Sequence, residues 1–188
     1  MKSHANIYRL CAIGVLSAMV FVANFFSIPL PFEARVHFGN VFCVLSGLLL
    51  GPVSGGLCAG LGGFFYDLTN PIYAAGAPVT FLMKFVIGFV AGAIAFRGGR
   101  RSESFAVNLT GAAAGSIAYV AVSLAKNFIE QYFFLRNPME TVTAALIVKG
   151  SSSLVNAVVA VVVSMLLRPV FLAAMRSSGI DEKLAREN

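Results

Sequence analysis

Polar side chains recur at helical spacing in a chain that is otherwise strongly apolar. Ser123, Lys126, Asn127, Glu130 and Gln131 follow the spacing of one helical face, and so do Lys149, Ser152, Ser153 and Asn156. Thr80 and Lys84 share a face, Tyr66 and Asp67 close one apolar run, and Arg35, His37 and Asn40 open another. Amide, hydroxyl and ammonium groups donate and accept hydrogen bonds and neutralise anions. That chemistry suits recognition of a small solute rich in carbonyls or carrying negative charge. It does not suit bond breaking. No GxxxxGK[ST] loop, HExxH, GxSxG or intramembrane carboxylate pair occurs, so no catalytic residue is expected and ATP hydrolysis by this chain is not. His4 and His37 make no metal set, and Cys11, Cys43 and Cys58 form no CxxC pair, so neither a metal nor a cofactor is expected.

The surrounding sequence says where such groups must sit. Of 188 residues 58% are hydrophobic and 12% charged, against about 25% charged in a soluble domain. Mean hydropathy is +0.83. Long continuous apolar runs of Leu, Ala, Val and Gly predict membrane helices rather than a barrel. The formal charge of +6 is carried by basic residues lying between apolar runs, which fits membrane topology and not a nucleic-acid partner. We expect an all-α integral membrane protein, a single domain over 1–188 with six helices at about 10–28, 36–50, 53–68, 80–96, 105–128 and 141–167. The first run is too long for a signal-peptide core and is kept as a helix.

Nine Lys and Arg fall in the tails and the 97–104 loop (Lys2, Arg9, Arg97, Arg100, Arg101, Arg168, Arg176, Lys183, Arg186), so both termini are expected in the cytoplasm and the loops after helices 1, 3 and 5 outside. Every polar face then lies in the outer half of its helix, above an apolar floor. Charges inside a membrane are costly, so that placement points to a solute pocket open to the outside. Packing accounts stand beside it: Lys84 pairing with Asp67, Lys126 pairing with Glu130 four residues on, or either lysine snorkelling. Lys149 lies too deep to snorkel, and the polar face of its own helix holds no acidic partner. His37 is the weakest signal, and Asn40 either bonds a solute or caps a helix. Outer aromatics (Phe32, Tyr73, Tyr132, Phe133, Phe134) either stack on a planar ring or form an interfacial belt, the belt being the expected account for most of them.

Two stretches set the architecture. Residues 38–66 carry no charge, and Gly51-Pro52 breaks them into a helical hairpin with polar ends on one side. Its helices, about 22–24 Å each, fall short of a ~30 Å hydrocarbon core, so they are extended by flanking residues, thin the bilayer, or sit inside the bundle. On the first helix, Gly14 and Ala18 form a small-xxx-small pair that either packs internally or receives a partner.

Arg35-x-His37-x-Gly39-Asn40, then Gly47-Leu48-Leu49-Leu50-Gly51-Pro52-Val53-x-Gly55, then Asp67, resembles the substrate-binding S components of energy-coupling factor (ECF) transporters, most closely the riboflavin-type and related branch. The resemblance covers nearly the whole chain. It implies a compact six-helix bundle in the cell membrane, with the first outer loop as a lid over a pocket at the outer ends of helices 4–6. It also implies work with a transmembrane coupling subunit and two cytoplasmic ATPases. Gly14-xxx-Ala18 stands where the family has Ala-xxx-Ala, which makes Gly14 and Ala18 the expected partner contact. Riboflavin is the first expectation for the solute, with folate, a queuosine-type base, or a pyrimidine or pyridoxine precursor as alternatives. The expected substrate-binding set is Arg35, His37, Asn40, Asp67, Lys84, Lys126, Asn127, Glu130, Lys149, Ser153 and Asn156. A membrane scaffold using its polar stripes for helix–helix bonds is the competing reading, and a small membrane enzyme a weaker one.

Overall fold

The computed structural model describes residues 2–32, 34–98 and 101–185; Arg100 and Arg186, counted above among the basic residues, lie outside them. The chain is helical apart from one short hairpin. In order it forms α1 (Lys2–Phe25), β1 (Ser27–Pro29), β2 (Arg35–His37), α2 (Gly39–Leu50), α3 (Pro52–Leu68), α4 (Pro71–Ala74), α5 (Ala77–Ala95), α6 (Phe105–Ile129) with a π-helical extension (Glu130–Phe134), α7 (Met139–Ser177) and α8 (Ile180–Ala185). Four stretches are long and apolar enough to cross a membrane: Ile7–Phe25, Ala74–Ala95, Phe105–Phe134 and Met139–Ser177.

The core is built around α2. Eleven of its twelve residues are buried. At about 18 Å it is shorter than a hydrocarbon core, and its neighbours enclose it, so it sits inside the bundle. The turn that returns the chain is set by Gly51, whose φ of +84° is a conformation that a side chain disfavours. Pro52 then starts α3 at a position where no backbone N–H is needed. The small-residue ladder lets three backbones touch. A Cβ at Gly47 would lie 2.3 Å from the Gly88 carbonyl oxygen, and one at Gly88 would lie 2.5 Å from that of Gly55. Ser46 locks the same contact by donating its hydroxyl to the Gly55 carbonyl at 3.0 Å. Around this seam Val44, Leu48, Ala59, Ile87 and Ala91 are fully buried. Cys43 and Cys58 are buried as small apolar residues, whereas Cys11 is exposed on α1.

Several boundaries differ from the sequence reading. Helix 1 ends at Phe25 rather than near 28, because Ser27–Pro29 pairs antiparallel with Arg35–His37, with Ile28 opposite Val36. The expected loop 29–37 is therefore mostly a β-hairpin, and α2 starts at Gly39. The loop after α6 shrinks because the helix continues as a π-turn to Phe134. The last long helix runs through Pro169 to Ser177. Proline removes one hydrogen bond there, but the continuation is held by tertiary contacts. Leu172 is buried in a cluster with Leu45 and Leu49, and Arg168 donates to the Ser102 carbonyl at 2.8 Å.

At the end of α2 away from the hairpin, basic residues gather. Arg101 donates to the Leu49 carbonyl at 3.0 Å and pairs with Asp181. Arg176 pairs with Glu103, and Lys183 donates to the Tyr8 hydroxyl at 2.8 Å. Asn108 is fully buried and caps the region by donating to the Ser102 and Ser104 carbonyls.

Candidate functional site

At the opposite end, the hairpin and helices α1, α2, α3, α5 and α7 converge on a buried polar cluster. Its centre is Lys84 on α5, only 4% exposed. The stem of Lys84 crosses α3 at Gly63, where a Cβ would lie 2.3 Å from the lysine Cδ. Its ammonium donates to Asn24 Oδ1 at 3.0 Å and to Asn40 Oδ1 at 3.3 Å. Neither partner is a carboxylate. The pairing of Lys84 with Asp67 weighed from the sequence is not the one formed; Asp67 is taken instead by Arg35, at 3.3 Å. The Arg35 guanidinium also lies over the Tyr73 ring at 4.2 Å and the Tyr66 ring at 5.2 Å. A cation against a carboxylate and two ring faces fixes the β2 strand to α3 and α4.

The other edge of the hairpin is fixed to α7. Asn156 Oδ1 accepts from the His37 backbone N–H at 2.9 Å, and its Nδ2 donates to the Arg35 carbonyl at 2.7 Å. His37 Nδ1 accepts from the Gly39 N–H at 3.1 Å, closing the first turn of α2. His37 lies in the hairpin, outside the spans. Burial, followed by the nearby cations Lys84, Arg35 and Lys149, holds its imidazole well below the usual histidine range. Lys149 is thus within electrostatic reach of the same cluster.

Of the residues singled out from the sequence, Arg35, His37, Asn40, Asp67, Lys84 and Asn156 are joined here, and Lys149 acts on them through its charge. Lys126 on α6 and Glu130 at the start of its π-helical extension pair with each other, part-exposed. Ser153 and Asn127 are buried on α7 and α6. Three buried amide atoms, Asn40 Nδ2, Asn108 Oδ1 and Asn127 Oδ1, have no partner in hydrogen-bond geometry among the described residues, and the Asn40 amide lies beside the Tyr119 hydroxyl of α6. Buried polar groups in native proteins are nearly always satisfied, so Asn40 Nδ2, a donor, and Asn127 Oδ1, an acceptor, each mark a position where a polar partner fits. Gly14 and Ala18 lie on the exposed side of α1, and nothing comes within 4 Å of a Cβ built at Gly14.

Two participants escaped sequence reasoning. Asn24 had one available signal: it is the sole amide side chain in the apolar run 10–25. Tyr73 reads as interfacial by composition, and only the fold reveals it as a platform for Arg35.

The chain is similar to known proteins over most of its length. A family profile described as "ECF-type riboflavin transporter, S component" matches residues 4–174. Among solved structures, the chain resembles one reported under "Structure and mechanism of the S component of a bacterial ECF transporter". The two share 23% identity, with a TM-score of 0.60 over 89% of this chain and 96% of that one. No curated protein sequence matches the chain.

Proposed function

The chain belongs to the ECF-type riboflavin transporter S component family, and on that premise we propose that it captures riboflavin from outside the cell for import. In this reading the chain is a six-span protein of the cell membrane with both termini in the cytoplasm. The pole rich in Arg101, Arg168 and Arg176 faces inward, as the positive-inside rule favours. The hairpin of β1 and β2 then covers the outer end of the bundle as a lid.

The observation that carries this reading is the buried polar cluster beneath the hairpin, where among the described residues the Lys84 ammonium meets only the neutral amides of Asn24 and Asn40. Riboflavin has ring carbonyls, ring nitrogens and a chain of hydroxyls. These offer acceptors to Lys84 and Asn40 Nδ2, and donors to Asn127 Oδ1. Arg35, His37 and Asn156 tie down the lid, while Asp67 fixes Arg35. Lys126, Glu130, Lys149 and Ser153 complete the expected rim on α6 and α7. A coupling subunit would dock on the Gly14 and Ala18 face, and two partner ATPases would supply the energy.

The test is extraction and titration. Protein purified from cells, denatured and analysed by mass spectrometry should release a stoichiometric flavin, and the emptied protein should quench riboflavin fluorescence on rebinding. A different stoichiometric metabolite would overturn the assignment of riboflavin while keeping capture. No metabolite and no quenching would overturn capture itself.

A further inference from the structure

We infer that Asn24 on α1 is a positioning residue that holds the Lys84 ammonium in the orientation from which it meets the solute, an inference that rests on the capture function proposed above. Asn24 is 3% exposed, and both ends of its amide are used. Nδ2 donates to the Val20 carbonyl at 2.6 Å, one turn back on its own helix, which turns Oδ1 toward Lys84 at 3.0 Å. The reversed amide would set N–H donors against an ammonium, so the bond to Val20 selects the useful orientation. With both ends engaged, Asn24 acts through Lys84 and not on the solute.

The space for this contact is built into the neighbouring helix. A Cβ at Gly39 would lie 2.4 Å from Asn24 Oδ1. The adjacent Gly39 and Asn40 therefore act on one target: the glycine admits Asn24, and Asn40 supplies the second acceptor for the same ammonium. An ammonium has three donors. Two meet neutral amide oxygens, and the third has no protein acceptor among the described residues. Two carboxylate partners would neutralise the charge, whereas two amides orient the group and leave its charge for an oxygen of the solute. Asn24 thereby joins the site to α1, the helix that carries Gly14 and Ala18.

Two readouts test this on the full chain in detergent or nanodiscs. In protein labelled with 15Nζ-lysine, the Lys84 resonance is the one lost in Lys84→Met. Asn24→Ala should shift it or broaden it through faster exchange while the other lysine signals stay in place. Asn24→Leu, which keeps the volume without the acceptor, should do the same and serves if the alanine variant does not fold. An unmoved Lys84 resonance in a folded variant overturns the inference. In riboflavin titrations, Asn24→Ala should weaken binding about tenfold or more, the scale of a lost charged hydrogen bond, and should have under a twofold effect when Lys84→Met is already present. Equal loss in both backgrounds also overturns it. A wild-type protein that binds no riboflavin would count against the proposed solute, and the lysine resonances would still decide the role of Asn24.

Discussion

Asn156 on α7 bonds the backbone of β2 on both sides of Val36, accepting from His37 N–H at 2.9 Å and donating to the Arg35 carbonyl at 2.7 Å. Beside the pairing with β1 and the Arg35–Asp67 contact, this amide is the tie that joins the hairpin to the longest described helix. Asn156→Ala removes both bonds. At a net ~0.5–1.5 kcal/mol each, hairpin closure should weaken by about 5- to 150-fold. The amide of His37 should exchange with deuterium correspondingly faster in the solute-free protein, and riboflavin should dissociate faster in stopped-flow fluorescence. Unchanged exchange at His37 would show that the hairpin is held elsewhere.

The second tie is Arg35 with Asp67 at 3.3 Å, with Tyr73 beneath the guanidinium at 4.2 Å. Asp67 is almost fully buried and Arg35 partly so. Asp67→Asn should therefore lower thermal stability measurably, by about 1–3 kcal/mol for a charged hydrogen bond broken in a largely desolvated place. Arg35→Lys keeps the charge but not the planar group that stacks on Tyr73, and should not restore wild-type stability. A lysine variant melting with the wild type would show that the charge alone matters.

How much of this was readable beforehand depends on the range of the signal. The 3.6-residue spacing on α5, α6 and α7 put Lys84, Asn127 and Asn156 on polar helix faces, and all three are buried, because periodicity is local. The uncharged run 38–66 with its Gly51-Pro52 break likewise announced the α2–α3 hairpin. Partners were not local. Lys84 could be matched with Asp67 on charge, yet the fold gives Asp67 to Arg35, 32 residues away, and gives Lys84 to Asn24, 60 residues away. The β-hairpin was hidden because Ser27–Pro29 and Arg35–His37 are each three residues long, too short for a period-two pattern. Pro169 is a sound reason to end a helix on propensity alone. It is overruled by packing of Leu172 and by the Arg168 contact, neither of which the local sequence encodes.

His37 should make the hairpin sensitive to acid. Its imidazole is held below the usual range in the fold, so the unfolded chain binds a proton more readily than the folded one. Stability contributed by neutral His37 is then present above the unfolded value of about 6.5 and is lost as pH falls below it. Protonation of Nδ1 would also remove the acceptor used by Gly39 N–H. Thermal unfolding followed from pH 8 to pH 4.5 should show a decline below about 6.5 that is reduced in His37→Asn, a variant that retains a side-chain acceptor. An identical decline in both proteins would assign the acid sensitivity to another group.

The seam of α2, α3 and α5 leaves no room for a methyl group. At Gly88 a Cβ would lie 2.5 Å from the Gly55 carbonyl oxygen and 3.0 Å from the Gly56 nitrogen, and backbone atoms cannot swing aside as a side-chain tip can. Gly88→Ala should cost about 1–3 kcal/mol through forced backbone shifts, despite alanine's better helix propensity. Gly14→Ala is the internal control, because a Cβ there meets nothing within 4 Å. It should leave the melting temperature unchanged or slightly raised. Equal melting of the two variants would mean that the seam relaxes freely.

On the function proposed above, that open position on α1 should separate capture from delivery. Gly14 and Ala18 are exposed one turn apart, on the side of α1 opposite the buried Leu16 and Val20. Leucine at both positions adds bulk to a surface that the chain itself does not pack, so riboflavin affinity and thermal stability of the purified protein should stay within about twofold and ~0.5 kcal/mol of the wild type. Close approach of a coupling subunit's helix, in contrast, requires small residues. Cells depending on this chain for the vitamin should therefore lose uptake while the isolated variant still binds. Uptake at the wild-type rate would move the docking surface to another face, and loss of binding by the purified variant would show that the face supports the site itself.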